Sequence, residues 1–137
     1  MATYTDRELT SVEEERILAL RKYGILDTPP DNTCDKLTKL AAKLMKVPVA
    51  IISLVDKDRV WFKSSYGLDT QQMQRENGLC DTVVFEGDFY QVEDAKQDPR
   101  TIGHKLVVGD FGLRFYAAYP LKTKEGFNLG AFCIIDK

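Results

Sequence analysis

The apolar residues fall into runs whose spacing separates strands from helices. Leu113 to Leu121 and Leu129 to Ile135 are two such runs, joined by the polar link Lys122-Thr123-Lys124-Glu125-Gly126, which predicts two antiparallel strands and a hairpin. The link is longer than a tight two-residue turn, and Gly126 can supply a positive φ. Arg114 puts a guanidinium at the mouth of the first strand. In the second strand Leu129, Ala131, Cys133 and Ile135 point one way, Phe132 and Ile134 the other. A strand apolar on both faces belongs in the middle of a sheet covered on both sides. The hairpin is therefore expected at the centre of the domain.

Upstream, the period changes. Ser11 with Glu14, or Thr10 with Glu13, fits a capping box and predicts a helix running to about Tyr23, with Val12, Ile17, Ala19 and Leu20 on its apolar side and Gly24 closing it. Ile25 to Pro30 reads as a stiff extended connector, because each proline restrains itself and the residue before it. A second helix is predicted from about Asn32 to Met45. Its stripe Cys34, Leu37, Leu40, Ala41 and Leu44 is expected to face the core, with Lys36, Lys39 and Lys43 on the wet side. Val49 to Val55 is a strand apolar on both faces, and Arg59 to Tyr66 returns as the next. Residues 69–77 read as an exposed polar loop, 79–85 as a short helix and 89–92 as a short strand. A polar loop, 93–100, and a helical turn, 101–108, lead into the hairpin. Hairpin-linked strands with helices grouped at the start argue for an α+β fold with a largely antiparallel sheet.

Composition narrows the function more than the fold. The chain has 137 residues, about one domain by size, with 44% hydrophobic and 29% charged residues and a formal net charge of −2. Its cations are spread out and balanced by acids, so nothing favours nucleic acid. No apolar run is long enough for a membrane span, the polar start lacks the core of a signal peptide, and a cytoplasmic chain is expected. Three widely spaced cysteines make neither a disulfide framework nor a zinc site.

Several segments together resemble a bacterial GAF-domain subgroup. They are Glu14-Glu15-Arg16-Ile17-Leu18 through Tyr23-Gly24-Ile25-Leu26-Asp27-Thr28-Pro29-Pro30; Val47-Pro48-Val49 through Val60-Trp61-Phe62-Lys63; Glu93-Asp94-Ala95; Asp98-Pro99-Arg100; Arg114 to Leu121; and Leu129 to Asp136. The resemblance covers roughly residues 13–137. It implies a GAF/PAS-like central antiparallel sheet of five or six strands with helices packed on one face and a ligand pocket on the other. It also implies a non-catalytic, signal-sensing regulatory module of the kind found in sensor histidine kinases and diguanylate cyclases. Such a module binds a small ligand, forms a homodimer through its helices, or does both. On this reading residues 1–10 are a flexible lead-in and 11–137 a single domain, without the C-terminal helix and output domain into which relatives continue.

Each candidate for chemistry has a plainer competing role. Cys80 sits where phytochrome-like GAF domains attach a bilin through a thioether, but Asp81 stands where those carry histidine, so bilin is disfavoured and a small semi-buried thiol is the simpler reading. A thiol-dependent reductase resembling the GAF-type methionine sulfoxide reductases is a further alternative. Cys34 and Cys133, however, lie on apolar stripes that suit a core role. Asp94, Asp98 and Arg100, with Arg114 on the next strand, are expected to tie a loop over the sheet by carboxylate–guanidinium pairing; Arg100 or Arg114 gripping an anion is the alternative. Tyr116 and Trp61, with Phe62, Phe115 and Tyr119, could line a pocket for a planar ligand, though Trp61 and Phe62 cannot face the same side of one strand. His104, the sole histidine, reads as a surface residue. The signature of cyclic-nucleotide-binding GAF domains is not found. The candidate ligand-binding residues are thus Cys80, Asp94, Arg100, Arg114, Tyr116 and Trp61, with no catalytic or metal-ligating set and no named cofactor.

Overall fold

The structure is a computed structural model that describes residues 6–75 and 79–137, with side chains described at 11–75, 79 and 82–137. Ten elements follow in the order α1 (Asp6–Lys22), α2 (Asn32–Met45), β1 (Val49–Val55), β2 (Arg59–Tyr66), β3 (Gln72–Gln74), α3 (Leu79–Glu86), β4 (Tyr90–Val92), α4 (Lys105–Val108), β5 (Phe115–Lys122) and β6 (Asn128–Asp136). The strands form one six-stranded sheet in the order β3-β2-β1-β6-β5-β4, and every neighbouring pair is antiparallel. The architecture is α+β.

The middle pair is β1 and β6, not the β5–β6 hairpin. β1 buries six of its seven residues, as a strand covered on both faces must. β6 buries Ala131, Cys133 and Ile135 on one side and keeps Phe132 and Ile134 half-buried on the other, to which the register slip at Leu121/Lys122 also turns the buried Leu129. β5 lies one place outward because the short β4 pairs along its far side. The hairpin closes over Thr123–Gly126, where Gly126 takes a φ of +92° and donates to the Thr123 carbonyl at 3.0 Å. Residues 72–74, expected in an exposed loop, instead pair with β2 as an edge strand. Gln72 and Gln74 stay exposed and Met73 is half-buried.

A register slip between β1 and β2 divides the sheet's two faces. Ile52 pairs with Ser64 but Ser53 pairs with Phe62, so Lys63 is the extra residue of a bulge. Its ammonium donates to Thr28 Oγ1 and to the Pro29 carbonyl, both at 2.8 Å. Arg59 reaches the same connector, pairing both oxygens of Asp27. The stiff 25–30 segment is thereby fastened along β2.

The two long helices share one face. Leu20 of α1 packs with Leu54, Trp61 and Leu129. On α2 the expected apolar stripe is turned outward: Leu37, Leu40 and Leu44 are 47, 53 and 70% exposed, and the buried residues are Thr38 and Ala42. The reason is a polar contact. Ser64 donates to Asp35 Oδ1 at 2.6 Å and shares a 2.9 Å hydrogen bond with Thr38, and this pins the Asp35–Thr38–Ala42 line of the helix to β2. α1 begins at Asp6, earlier than the two capping boxes suggest, and Val12 is exposed while Arg16 is buried. The shorter α3 and α4 lie over the opposite face, where Leu79, Val83, Val84 and Val107 join the larger core cluster.

The β1–β6 contact leaves no room for a side chain at Gly130, whose added Cβ would stand 1.9 Å from the Ser53 carbonyl oxygen. Gly130→Ala should therefore cost roughly 3 kcal/mol or more in a denaturant titration. Gly103→Ala, where nothing lies within 4 Å, should stay within about 0.5 kcal/mol of the parent.

Candidate functional site

Alternation along the inner strands sets one row of side chains against α3 and α4. Ile51 and Ser53 of β1, Val60 and Phe62 of β2, Tyr116 of β5, and Cys133 and Ile135 of β6 all face the same way. Together with Leu79 of α3 they floor a cavity of about 170 Å³. Its rim is made by Leu68, Thr70, Met73 and Gln74 on one side and by His104, Leu106 and Phe111 on the other. Ser53 is fully buried, and its hydroxyl donates to the Ala131 carbonyl at 3.1 Å. Tyr116 is 1% exposed and meets Tyr90 edge-on, with ring centroids 6.0 Å apart. His104 caps α4: its Nδ1 accepts the Leu106 N–H at 3.1 Å, which places the ring proton on Nε2.

A polar junction joins the cavity side to α1 at one end of the sheet. Arg16 donates through Nε and Nη2 to both oxygens of Glu13 at 2.9 Å, and through Nη1 to the Asn128 carbonyl at the start of β6. Arg75, which follows β3, donates to the same Glu13 and to the carbonyl of Asp56. Its guanidinium also lies 5.9 Å from the centroid of the Phe85 ring on α3. Asn128 Nδ2 donates to the Val84 carbonyl, also on α3, at 2.9 Å. Burial pushes the Glu13 carboxyl up, but the hydrogen bonds and charges of Arg16 and Arg75 outweigh it and hold Glu13 below the usual carboxylate range.

The five candidate residues whose side chains are described are not brought together. Tyr116 lines the cavity. Trp61 lies on the opposite face against Leu20 and Leu54, because it alternates with Phe62. Arg114 is half-buried and donates to the carbonyls of Val107 and Leu113, not to a carboxylate. Asp94 shapes its own turn, accepting the Lys96 N–H at 3.1 Å. Arg100 pairs with Asp98 at 2.6 Å, donates to the Gln91 carbonyl, and stacks 4.8 Å over the Tyr90 ring. The expected carboxylate–guanidinium tie is therefore made by Asp98 and Arg100, without Asp94 or Arg114. The Cys80 side chain lies outside the described residues. Among the described residues no three His, Cys, Asp or Glu groups gather as a metal site would require, and no helix is long and apolar enough to cross a membrane.

Some lining residues had no strong sequence signal. His104 read as surface, Thr70, Met73 and Gln74 as loop, and Cys133 as core. Ser53 had one: it is the single hydroxyl in an otherwise apolar strand.

A family model described as "GAF domain" matches residues 29–137. Over 125 residues the chain is 35% identical to a cyclic di-GMP phosphodiesterase of Pseudomonas aeruginosa, covering 91% of this chain and 21% of that protein. The chain thus spans about a fifth of that relative's length. Among solved structures, the GAF domain of a phosphoenolpyruvate-protein phosphotransferase from Acinetobacter matches with a TM-score of 0.61 at 19% identity, over 91% of this chain and 77% of that one. A free methionine-R-sulfoxide reductase from Neisseria meningitidis, solved in complex with its substrate, matches with a TM-score of 0.61 at 15% identity, over 99% and 77% of the two chains. Likeness at these identities concerns the fold alone.

The Asp98–Arg100 tie predicts a titration. Hydrogen bonds from the Arg100 side chain and then from its backbone N–H hold the Asp98 carboxyl at about 2, below its ordinary 3.8. A depressed folded-state pKa means the pair's contribution to stability is complete above about pH 4 and is lost as pH falls through about 2. An NMR titration should find Asp98 near that lower value, and Arg100→Ala should move it upward. An unmoved value would show that the backbone N–H alone holds the charge.

Proposed function

The chain belongs to the GAF-domain family, and on that premise we propose that it is the ligand-sensing regulatory segment of a larger bacterial signalling protein. The single observation that carries this reading is the cavity between the sheet and the α3–α4 cover, buried at its floor by Tyr116, Phe62 and Ser53. A ligand there biases the domain only by binding two of its conformations unequally. The polar junction supports α1 as the element that responds, since Arg16 and Arg75 fasten it to β6 and to the segment after β3. The output is proposed as cyclic-dinucleotide turnover, after the Pseudomonas aeruginosa relative, or as a two-component kinase, and the location as the cytoplasm.

The domain itself is read as non-catalytic. A thiol reductase needs a nucleophile and a resolving thiol within reach of each other. Of the two cysteines whose side chains are described, Cys133 faces the cavity and Cys34 sits on α2 beyond the opposite face of the sheet, so these two do not form such a pair. Burial and the neighbouring Asp31 carboxylate also push the Cys34 thiol up, away from the reactive thiolate. A bilin is a linear tetrapyrrole, far larger than about 170 Å³.

Homodimerisation through the helices belongs to the same reading. The outward stripe Leu37, Leu40 and Leu44 on α2 supports it, because contiguous exposed apolar surface marks an interaction site.

Native mass spectrometry of protein purified from a bacterial host tests the sensor reading. Added mass that disappears on denaturation is expected, together with altered hydrogen exchange across α1. Bare chain mass in both states, with α1 exchange unchanged by a metabolite extract, would overturn it. Analytical ultracentrifugation tests the association. The parent should sediment as a dimer and the Leu40→Glu, Leu44→Glu double variant as a folded monomer, whereas a monomeric parent would remove the dimer from the reading.

A further inference from the structure

We propose that the cavity takes an uncharged, largely apolar molecule about the size of one or two fused rings, with a single hydrogen-bonding end, and excludes nucleotides and other anions. This rests on the sensor reading and specifies the ligand of that same site. Size comes first. An apolar cavity of roughly 150 Å³ admits a benzene ring, and this one measures about 170 Å³. Drug-sized ligands occupy pockets of roughly 300 Å³ or more. A cyclic nucleotide, with base, sugar and phosphate, is several times larger than a single ring.

Charge gives the same answer independently. None of the described lining residues is Arg, Lys, Asp or Glu. Of the described cations next in sequence to lining positions, Arg59 pairs with Asp27, Lys63 bonds Thr28 and Pro29, Arg75 bonds Glu13, and Lys105 is exposed. A phosphate or carboxylate buried in this space would lose its hydration without gaining a counter-charge, a cost of several kcal/mol in apolar surroundings. An uncharged ring carries no such cost, and burying its surface against Phe62, Leu79 and Ile135 is favourable.

A polar end is met at the rim, where Thr70, Gln74 and His104 bring hydrogen-bonding side chains to an otherwise largely apolar lining. The site therefore suits a heteroaromatic or phenolic molecule more than a pure hydrocarbon.

Indole serves as the probe, because it is a neutral fused ring with one N–H. Indole-3-acetate adds a carboxylate to the same ring, and cyclic AMP, cyclic GMP and cyclic di-GMP complete the panel. The readout is the carbon–proton methyl spectrum of the whole chain. Indole should shift the methyls of Ile51, Met73, Leu79 and Ile135, and indole-3-acetate should bind at least about tenfold more weakly. The cyclic nucleotides should leave these methyls unmoved. Leu106→Trp, at the rim, should weaken indole at least about tenfold while the rest of its methyl spectrum stays folded, and Gly103→Ala, off the lining, should retain binding and serve as the control. If a nucleotide or indole-3-acetate moves the lining methyls at least as strongly as indole, the ligand class is wrong while the sensor reading stands. If no probe moves them, the ligand class falls, and the sensor reading is decided separately by the native mass spectrum and α1 exchange.

Discussion

The fold depends on the close pairing of β1 with β6. Six residue pairs join the two strands, and at Gly130 the backbones approach so nearly that a single methyl group would collide with the Ser53 carbonyl. Because both strands are buried on two sides, the domain has two apolar layers and cannot be stabilised from one face alone. One layer is sealed by α1 and α2. The other is closed over by α3, α4 and their loops, and it is here that packing is incomplete. Protein interiors ordinarily leave few voids larger than a water molecule. A cavity of about 170 Å³ beside the closely paired central strands is therefore a departure from close packing.

Two layers separated by a sheet need a path if one is to report on the other, and the polar junction supplies it. Arg16 is 4% exposed, so its charge is held away from water and must be compensated. Glu13 compensates it, and Arg75 shares the same carboxylate from the far side. The network thus spans α1, the start of β6, the β1–β2 turn and the segment after β3, while the Asn128 side chain adds α3. An exposed ion pair contributes about 1 kcal/mol or less. A buried, multiply hydrogen-bonded arginine differs in kind: removing a partner strands a charge, so the elements it joins tend to move together.

Strands were legible in the sequence because two-sided burial leaves a plain mark, an unbroken apolar run, and Val49–Val55 and Leu129–Ile135 carry it. The edge strand β3 was not, because Gln72-Met73-Gln74 is held by backbone pairing to β2, which leaves no trace in side-chain pattern. On α2 the pattern misled. Leu37, Leu40 and Leu44 satisfy the helical period, yet the Asp35–Thr38–Ser64 contact chose the neighbouring line of the helix. Hydrophobic periodicity identifies an apolar face but not whether that face meets this chain's own core. The site was half legible for a related reason. Strand alternation separates Phe62 from Trp61, but which of the two faces the cavity is fixed by the bulge at Lys63, a tertiary feature.

The same bulge connects the two halves of the argument. Lys63 leaves the ladder and fastens to the connector at Thr28 and Pro29, while the slip it creates aligns Phe62 with Ser53 on the cavity floor. The connector between α1 and α2 is therefore anchored to the residue whose displacement shapes the cavity. On the sensor reading, a molecule filling that cavity acts on a wall already coupled at two points to the helices behind it: through Lys63 to the connector, and through Arg75 and Glu13 to α1. Neither coupling requires the central strands to move. On that reading the closely packed β1–β6 pair is the fixed point, and the edge strands and helices around it carry the response. A shift of tenfold between two arrangements requires only about 1.4 kcal/mol of difference in ligand affinity. That is comparable to the burial of one or two methylene groups, which a small apolar ligand in an incompletely packed cavity can supply.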